Sequence, residues 1–401
     1  MSQVQKIDPA LAQRVLDQIK QDEAISFLQA LVRVPSVNPP GDVRDAIKVC
    51  SDKLKSEGFD LSFITGVDTI PNLVARLGPS GGRTLLFNAH VDVVPTGEES
   101  AWSHPPFAAD IADGRVYGRG AGDDKASVTA QVMAGIALAR SGVPLKGQLI
   151  VNEVGNEEVG GVNGAQLVAQ SPEVHPDWVI VGEQTLNRIA IGEKGGAGTN
   201  VTVFGRAAHG ALPWEGVNAI EGMARVIAAL QRELWPALEK RTHPYFHHSS
   251  ASINLIEGGV KTNVVADRCS ITIDRRIIPG EVPAECVAEV RDIVERAVSG
   301  VPGLRAEVSG GPGREAILGS PDSPAVLAMQ EANQFLGLST DLTGFSMGTD
   351  GRHFVNQGYP TIIYGPGDPS LAHQPNEWVG IDEVMEATKA YALAALALLA
   401  K

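Results

Sequence analysis

Cysteine is scarce in this chain: Cys50, Cys269 and Cys286 are the only three in 401 residues, scattered and without C-x-x-C spacing. An odd, widely spaced set excludes a disulfide framework and a thiolate metal site. Basic residues are also in deficit, 33 Lys and Arg against 47 Asp and Glu, for a net charge of −14. Nucleic acids and anionic membranes need clustered Lys and Arg, so neither is an expected partner. No stretch approaches the roughly 18 uninterrupted apolar residues of a membrane span. The first residues, MSQVQKIDPALAQRVLDQIKQDEAI, hold no apolar signal core, which leaves the cytoplasm as the expected compartment. What remains is an ordinary soluble composition, 43% hydrophobic and 20% charged, long enough for about two or three domains.

Helix and strand patterns alternate along the chain. Apolar residues recur at helical spacing from Asp8 to Val32, up to Pro35 and the turn-forming Asn38-Pro39-Pro40-Gly41. Arg44 to Glu57 and the Ala-rich Lys125 to Ser141 read as helices. Asn72 to Leu77, Thr84 to Asn88, Gln148 to Glu153 and Trp178 to Val181 read as strands. Such alternation indicates an α/β layer with a mainly parallel sheet. The character changes at Gly195-Gly196-Ala197-Gly198, after which the order is strand, helix, two strands, helix, strand, from Thr199 to Val308. That β-α-β-β-α-β order is a ferredoxin-like α+β unit. Beyond Gly310-Gly311-Pro312-Gly313 helix–strand alternation resumes with Ser323 to Leu336, Thr361 to Tyr364 and Ile381 to Leu399. The expected organisation is a catalytic domain over 1–194 and 311–401, interrupted by an inserted domain over 195–310.

Chemistry concentrates at strand ends and in Gly-rich loops. Asn88-Ala89-His90-Val91-Asp92 closes a short apolar strand, and a period of two points His90 and Asp92 the same way. A neutral imidazole is the commonest metal ligand, and its second nitrogen usually needs a carboxylate or carbonyl partner. Gly118-Arg119-Gly120-Ala121-Gly122-Asp123-Asp124-Lys125 opens a helix, and Asn156-Glu157-Glu158 follows a strand. Gly182-Glu183-Gln184-Thr185 ends the next strand, and Ala372-His373-Gln374-Pro375-Asn376-Glu377 lies in a late loop. Taken singly, an Asp before a helix is usually a cap and a Glu pair in a loop is usually solvated. Together they supply two His and several carboxylates, a donor set suited to zinc-like ions. Two divalent ions against Asp123, Glu158, Glu183 and a hydroxide come close to neutrality.

The order HVD, GRGxxDxK, NEE, GEQT, AHxPNE resembles the metallopeptidase family of acetylornithine deacetylase, succinyl-diaminopimelate desuccinylase, aminoacylase and glutamate carboxypeptidase. The resemblance runs from Leu31-Val32-Arg33-Val34-Pro35-Ser36 to the His373 loop. It implies a zinc-peptidase-like α/β domain with an inserted lid that dimerises. It implies that His90, Asp123 and Glu183 hold one metal and Asp123, Glu158 and His373 the other, Asp123 bridging. Asp92 would orient His90, and Glu157 would be the general base. The lid motif Gly205-Arg206-Ala207-Ala208-His209-Gly210 is similar to the family's, so His209 would serve the partner's site as an oxyanion donor. Asn263 and Arg276 resemble lid residues that meet the substrate carbonyl and carboxylate. Arg352 is a further candidate for the carboxylate, with a local ion pair to Asp350 as its structural alternative. Asn156, Ala126 and Gln184 depart from the usual Asp, Gly and Pro without removing a ligand.

The activity so implied is metal-dependent hydrolysis of an N-acyl amino acid. Zinc is the first choice of metal, with cobalt or manganese as alternatives, and a dipeptidase or glutamate-carboxypeptidase-like exopeptidase is the runner-up. Glu183, rather than Asp, at the outer ligand position looks more like the deacylases. Two rivals have sequence support of their own. Gly344-Phe345-Ser346-Met347-Gly348 matches a serine-hydrolase elbow, but the polar Ser339-Thr340-Asp341-Leu342-Thr343 replaces the buried strand an elbow needs. A non-catalytic binding paralogue is the other, since fold alone never secures function. His247-His248, in a Ser-rich loop, reads as exposed rather than metal-binding.

Overall fold

A computed structural model describes residue 4 and residues 6–400. The chain forms two compact units: Met1–Gly192 with Gly319–Thr343 and Thr349–Lys401, and Glu193–Leu318 with Gly344–Gly348. In the first unit six strands lie side by side in the order Asp60–Thr65, Pro71–Leu77, Gln148–Val154, Thr84–His90, Trp178–Val181, Thr361–Ile363. The last four are mutually parallel. The two at the edge pair antiparallel, because the short loop between them cannot make a parallel crossover.

The parallel strands form because their apolar runs can be covered on both faces. Thr84–His90 is buried from Leu85 onward. Helices Lys125–Ser141 and Ile381–Leu399 pack on it and on each other. Lys125–Ser141 is buried around nearly its whole circumference, so its Ala-rich composition lacks a polar stripe. At its start the fully buried Lys125 Nζ donates to the Leu31 and Val34 carbonyls, at 3.0 and 2.8 Å, tying the helix to the N-terminal segment. That segment is two helices, Pro9–Leu16 and Gln21–Val32, where the periodicity predicts one. Tight turns Gln18 to Val15 and Ile19 to Leu16 break it and bury Ile19. A small antiparallel sheet of Trp378–Gly380, Arg115–Tyr117 and Asp110–Ala112 brings the chain after Glu377 beside the chain before Gly118.

The second unit contains an antiparallel sheet with strands in the order Ser250–Gly258, Arg268–Ile277, Thr199–Phe204, Arg305–Gly310. The first strand in sequence thus lies between the third and the fourth, as in a ferredoxin-like fold. Helices Ala219–Glu239 and Pro283–Ser299 bury Met223, Val226, Leu230, Val290 and Val294 against Val201, Val203, Ile271 and Ile273. Among the described residues no helix is long and apolar enough to cross a membrane.

One glycine ties the fold to the loop of Glu157 and Glu158. A Cβ on Gly164 would lie 1.9 Å from the Gly155 carbonyl oxygen, and Gly155 opens that loop. Gly164→Ala is expected to cost about 3 kcal/mol through overpacking and to lower bound metal. Gly58→Ala, at φ +85° with open space around it, should cost only the left-handed penalty of about 1–2 kcal/mol and leave metal unchanged. Urea midpoints and elemental analysis read both; equal losses with full metal in each would contradict the assignment.

Candidate metal centre

In open α/β sheets ligands collect beyond the carboxyl ends of the strands. His90 ends its strand opposite Val154, and Asn88 pairs with Val181. Glu157 and Glu158 follow Val154, Glu183 follows Val181, and His373 lies in the loop after Thr361–Ile363. Asp123 arrives from a different direction, on the Gly118–Asp124 turn. Gly120 there has φ +83°, and a Cβ would meet Val93 Cγ1 at 2.5 Å, so only glycine suits that position.

The side chains converge. His90 Nε2 is 3.1 Å from Asp123 Oδ1, and His373 Nε2 is 3.3 Å from Asp123 Oδ2 and 3.1 Å from Glu158 Oε2. Asp123 therefore faces both imidazoles, one through each oxygen. One ligand atom each from His90, Asp123 and Glu158 lies within 4.8 Å of the others. The neighbouring Asp124 turns its Oδ2 toward the His90 backbone N–H instead, at 3.4 Å, and the peptide between the two aspartates is cis. Glu183 is buried, and its carboxyl feels Asp124, Asp123, His90 and Glu157.

Asp92 is placed differently from a simple orienting carboxylate. His90 Nδ1 donates to the Asp92 carbonyl at 3.0 Å, with the carboxylate Oδ1 at 3.6 Å. A carbonyl only accepts, so Nδ1 carries a proton, and Nε2 is the ring nitrogen that faces Asp123. The Asp92 carboxylate accepts the backbone N–H groups of Glu157 and Glu158, at 3.2 and 3.3 Å, and the Asn38 amide at 2.9 Å. It shapes the loop of Glu157 and Glu158 from beneath.

The electrostatics call for a cation. Burial pushes the carboxyls of Glu157, Glu158 and Glu183 up, and their acidic neighbours push them further. Burial also raises Asp124, to about 8. Burial disfavours His90 as a cation, but hydrogen bonds to Asp123 and Asp92 raise it well above its usual range. Asp123 and Glu158 raise His373 to about 10. Glu158 Oε1 is buried with no hydrogen-bond partner. Carboxylates packed this closely are stabilised by a divalent ion, and two imidazoles with three acids are the N/O donors such ions take.

The lid candidates lie in the second unit. His209 and Asn263 are exposed and adjacent: Gly210 N–H donates to the Asn263 carbonyl at 2.8 Å, and His209 bridges Val264. His209 Nδ1 accepts the Ala211 N–H at 3.0 Å, which leaves Nε2 as the ring nitrogen that carries the proton. Arg276 pairs with Asp274 at 3.0 Å on a half-exposed strand. In the first unit Arg352 and His353 both reach the Gly160 carbonyl, at 3.2 and 3.1 Å, just past Glu158. Arg352 thus stands beside the loop that carries Glu157 and Glu158. Ser346 follows the strand Leu342–Phe345 and precedes a bend, and the next helix begins only at Gly351. An elbow nucleophile needs a helix immediately after it, and His373 already faces Asp123 and Glu158.

The roles of four residues escaped the sequence reading although each sits in or beside a quoted motif. Asn38 braces Asp92, Asp350 adds to the charge that raises Glu157, and Arg119 and Glu377 form a buried pair at 2.6 Å. The spacing of their motifs says nothing about which loop touches which.

Comparison with known proteins agrees with this geometry. Residues 86–397 match the profile of peptidase family M20/M25/M40. The succinyl-diaminopimelate desuccinylase of Methylobacterium radiotolerans is 32% identical over 92% of this chain and 95% of its own length. That of Parvibaculum lavamentivorans is 30% identical over 90% and 92%. Among solved structures, a Staphylococcus aureus tripeptidase superposes with a TM-score of 0.77 at 21% identity, covering 95% of this chain and 99% of that one. Human carnosine dipeptidase 1 gives 0.77 at 21%, covering 97% and 99%. The chain belongs to peptidase family M20/M25/M40 and is a metal-dependent amidohydrolase.

Proposed function

We propose that the chain is a deacylase that releases the acyl group from a small N-acyl amino acid, using two divalent ions, zinc first among them, and working as a lid-paired homodimer. The observation that carries the reading is Asp123 facing His90 through one oxygen and His373 through the other, with Glu158 on His373 and Glu157 next to it. His90, Asp123 and Glu183 would hold one ion, and Asp123, Glu158 and His373 the other. The relatives at 30–32% identity are named desuccinylases, which favours acyl removal over dipeptide cleavage.

Bound divalent ions make water acidic at neutral pH and polarise a carbonyl. Glu157, buried among acidic neighbours that raise its affinity for a proton, would take the proton of the attacking water. It then returns that proton to the leaving nitrogen. Asp92 keeps Glu157 and Glu158 in register through their backbone N–H groups. His209 of a partner chain donates to the developing oxyanion, and Asn263 meets the carbonyl. Arg276 and Arg352 offer forks for the substrate carboxylate.

Pairing through the second unit is supported by its edge strand. Ser250–Gly258 terminates its sheet, and Leu255, Ile256 and, just beyond, Val260 are 64%, 59% and 85% exposed. An apolar open edge is a template for a second chain.

Glu157→Gln should keep its metal and lose roughly 10²–10⁴-fold in kcat, whereas Glu158→Gln should lose metal. Elemental analysis with steady-state kinetics distinguishes them, and exchanged behaviour would exchange the roles. Amidating the carboxylate of an N-acetyl or N-succinyl amino acid should raise KM or abolish turnover, and equal turnover of acid and amide would reject carboxylate anchoring. His209→Ala and Glu157→Ala homodimers should both be nearly inactive, while their heterodimer regains one working site. Two-tag co-expression tests this; verified heterodimers without activity would confine His209 to its own chain or remove it from catalysis.

A further inference from the structure

His373 is a ligand that its own loop does not hold well. Its side chain is 53% exposed, and its φ of 64° lies in the left-handed region that a β-carbon disfavours. Asn376, three residues on, has φ 60°. Such a backbone persists only when its surroundings impose it. Asn376 Oδ1 accepts the Ser103 N–H at 2.6 Å, and its amide donates to the Ala101 carbonyl at 3.1 Å. The rest of the restraint comes from one buried ion pair.

Glu377 Oε1 accepts the backbone N–H groups of Gly122 and Asp123, both at 2.9 Å. Its Oε2 takes Arg119 Nη1 at 2.6 Å, and both side chains are almost wholly buried. The same Nη1 reaches the carbonyl of Gln374, next to His373, at 3.3 Å. Arg119 Nη2 reaches the carbonyl of Pro95, in the loop after His90 and Asp92, at 3.4 Å. The guanidinium also lies over the Trp102 ring, 5.2 Å from its centre. One pair thus touches the three loops that carry His90, Asp123 and His373. A planar fork serves the carboxylate and one carbonyl from one nitrogen and the second carbonyl from another, a spread that an ammonium, with all its donors on one nitrogen, does not offer.

We propose that Arg119 and Glu377 are positioning residues that clamp the Asp123 and His373 loops together and thereby set the affinity of the ion those two ligands share. The inference rests on the dimetal reading above only for which ion is affected. Neither residue reaches the reacting atoms. The clamp presents Asp123 at the separation from His373 that one ion can span, so that ion does not have to order the loop itself.

The test is metal titration of the metal-free full-length protein with Zn²⁺ and with Co²⁺, whose visible spectrum reports ligand geometry. Wild type, Glu377→Gln, Arg119→Lys and His373→Ala are compared, and thermal midpoints are measured on the metal-free forms. His373→Ala identifies the affected ion. Glu377→Gln is expected to weaken that ion roughly 10–100-fold, the usual effect of losing a partner behind a ligand. The other ion should stay within about threefold, and excess metal should restore much of kcat. Arg119→Lys keeps the charge but not the fork, so it should fall between wild type and Glu377→Gln with an altered Co²⁺ spectrum. A purely structural pair would lower the metal-free thermal midpoint and leave affinities and spectrum unchanged, and that result overturns the proposal. Should a variant fail to fold, Arg119→Met with Glu377→Leu removes both buried charges together and is judged by the same affinity. If wild type takes up one ion rather than two, the dimetal reading fails, and the clamp is still decided by that ion's affinity in the variants.

Discussion

Everything at the centre follows from holding like charges together. Asp123, Asp124, Glu157, Glu158 and Glu183 crowd the carboxyl edge of one sheet, and burial drives four of the five up from their ordinary range. Asp123 is the exception, held down by His373 and His90 against the same burial. A fold that gathers acids this way opposes its own stability unless a cation completes it. The sheet makes it possible because parallel strands, buried on both faces, are rigid enough to keep their ends in place.

The loops that carry the candidate ligands are restrained by groups outside the donor set. The Asp92 carboxylate organises backbone N–H groups beyond the end of the neighbouring strand, while its carbonyl accepts the His90 Nδ1–H. Lys125 ties the helix after Asp123 to the N-terminal segment, and Glu377 caps the turn that presents Asp123. Each of these polar groups is buried and hydrogen-bonded, which is costly to build and hence strongly orienting once built.

The second unit follows a separate logic. It has its own core between two helices and an antiparallel sheet, and its exposed features are functional candidates rather than packing: His209 beside Asn263, Arg276 on Asp274, and an apolar edge strand. Antiparallel sheets tolerate one open face and edge, whereas the parallel centre of the first unit does not.

Much of this was legible in the chain. Lys125–Ser141 and Trp178–Val181 fall at the boundaries their patterns predict, because a helix buried all round and a strand buried on both faces leave unmixed signals. The candidate donors were readable because metal chemistry restricts residue type, and His and acids at strand ends stand out against apolar strands. Asp60–Thr65 was not legible, since a half-exposed edge strand lacks a strict period. Nor were the short strands around Tyr117 and Trp378, too brief for any pattern. The tertiary structure alone decided that Asp92 braces the Glu157 loop and that Arg119 meets Glu377 across 258 positions. Sequence spacing carries the period of a helix or strand; it carries nothing about which loops meet, because that is set by packing between elements far apart in the chain.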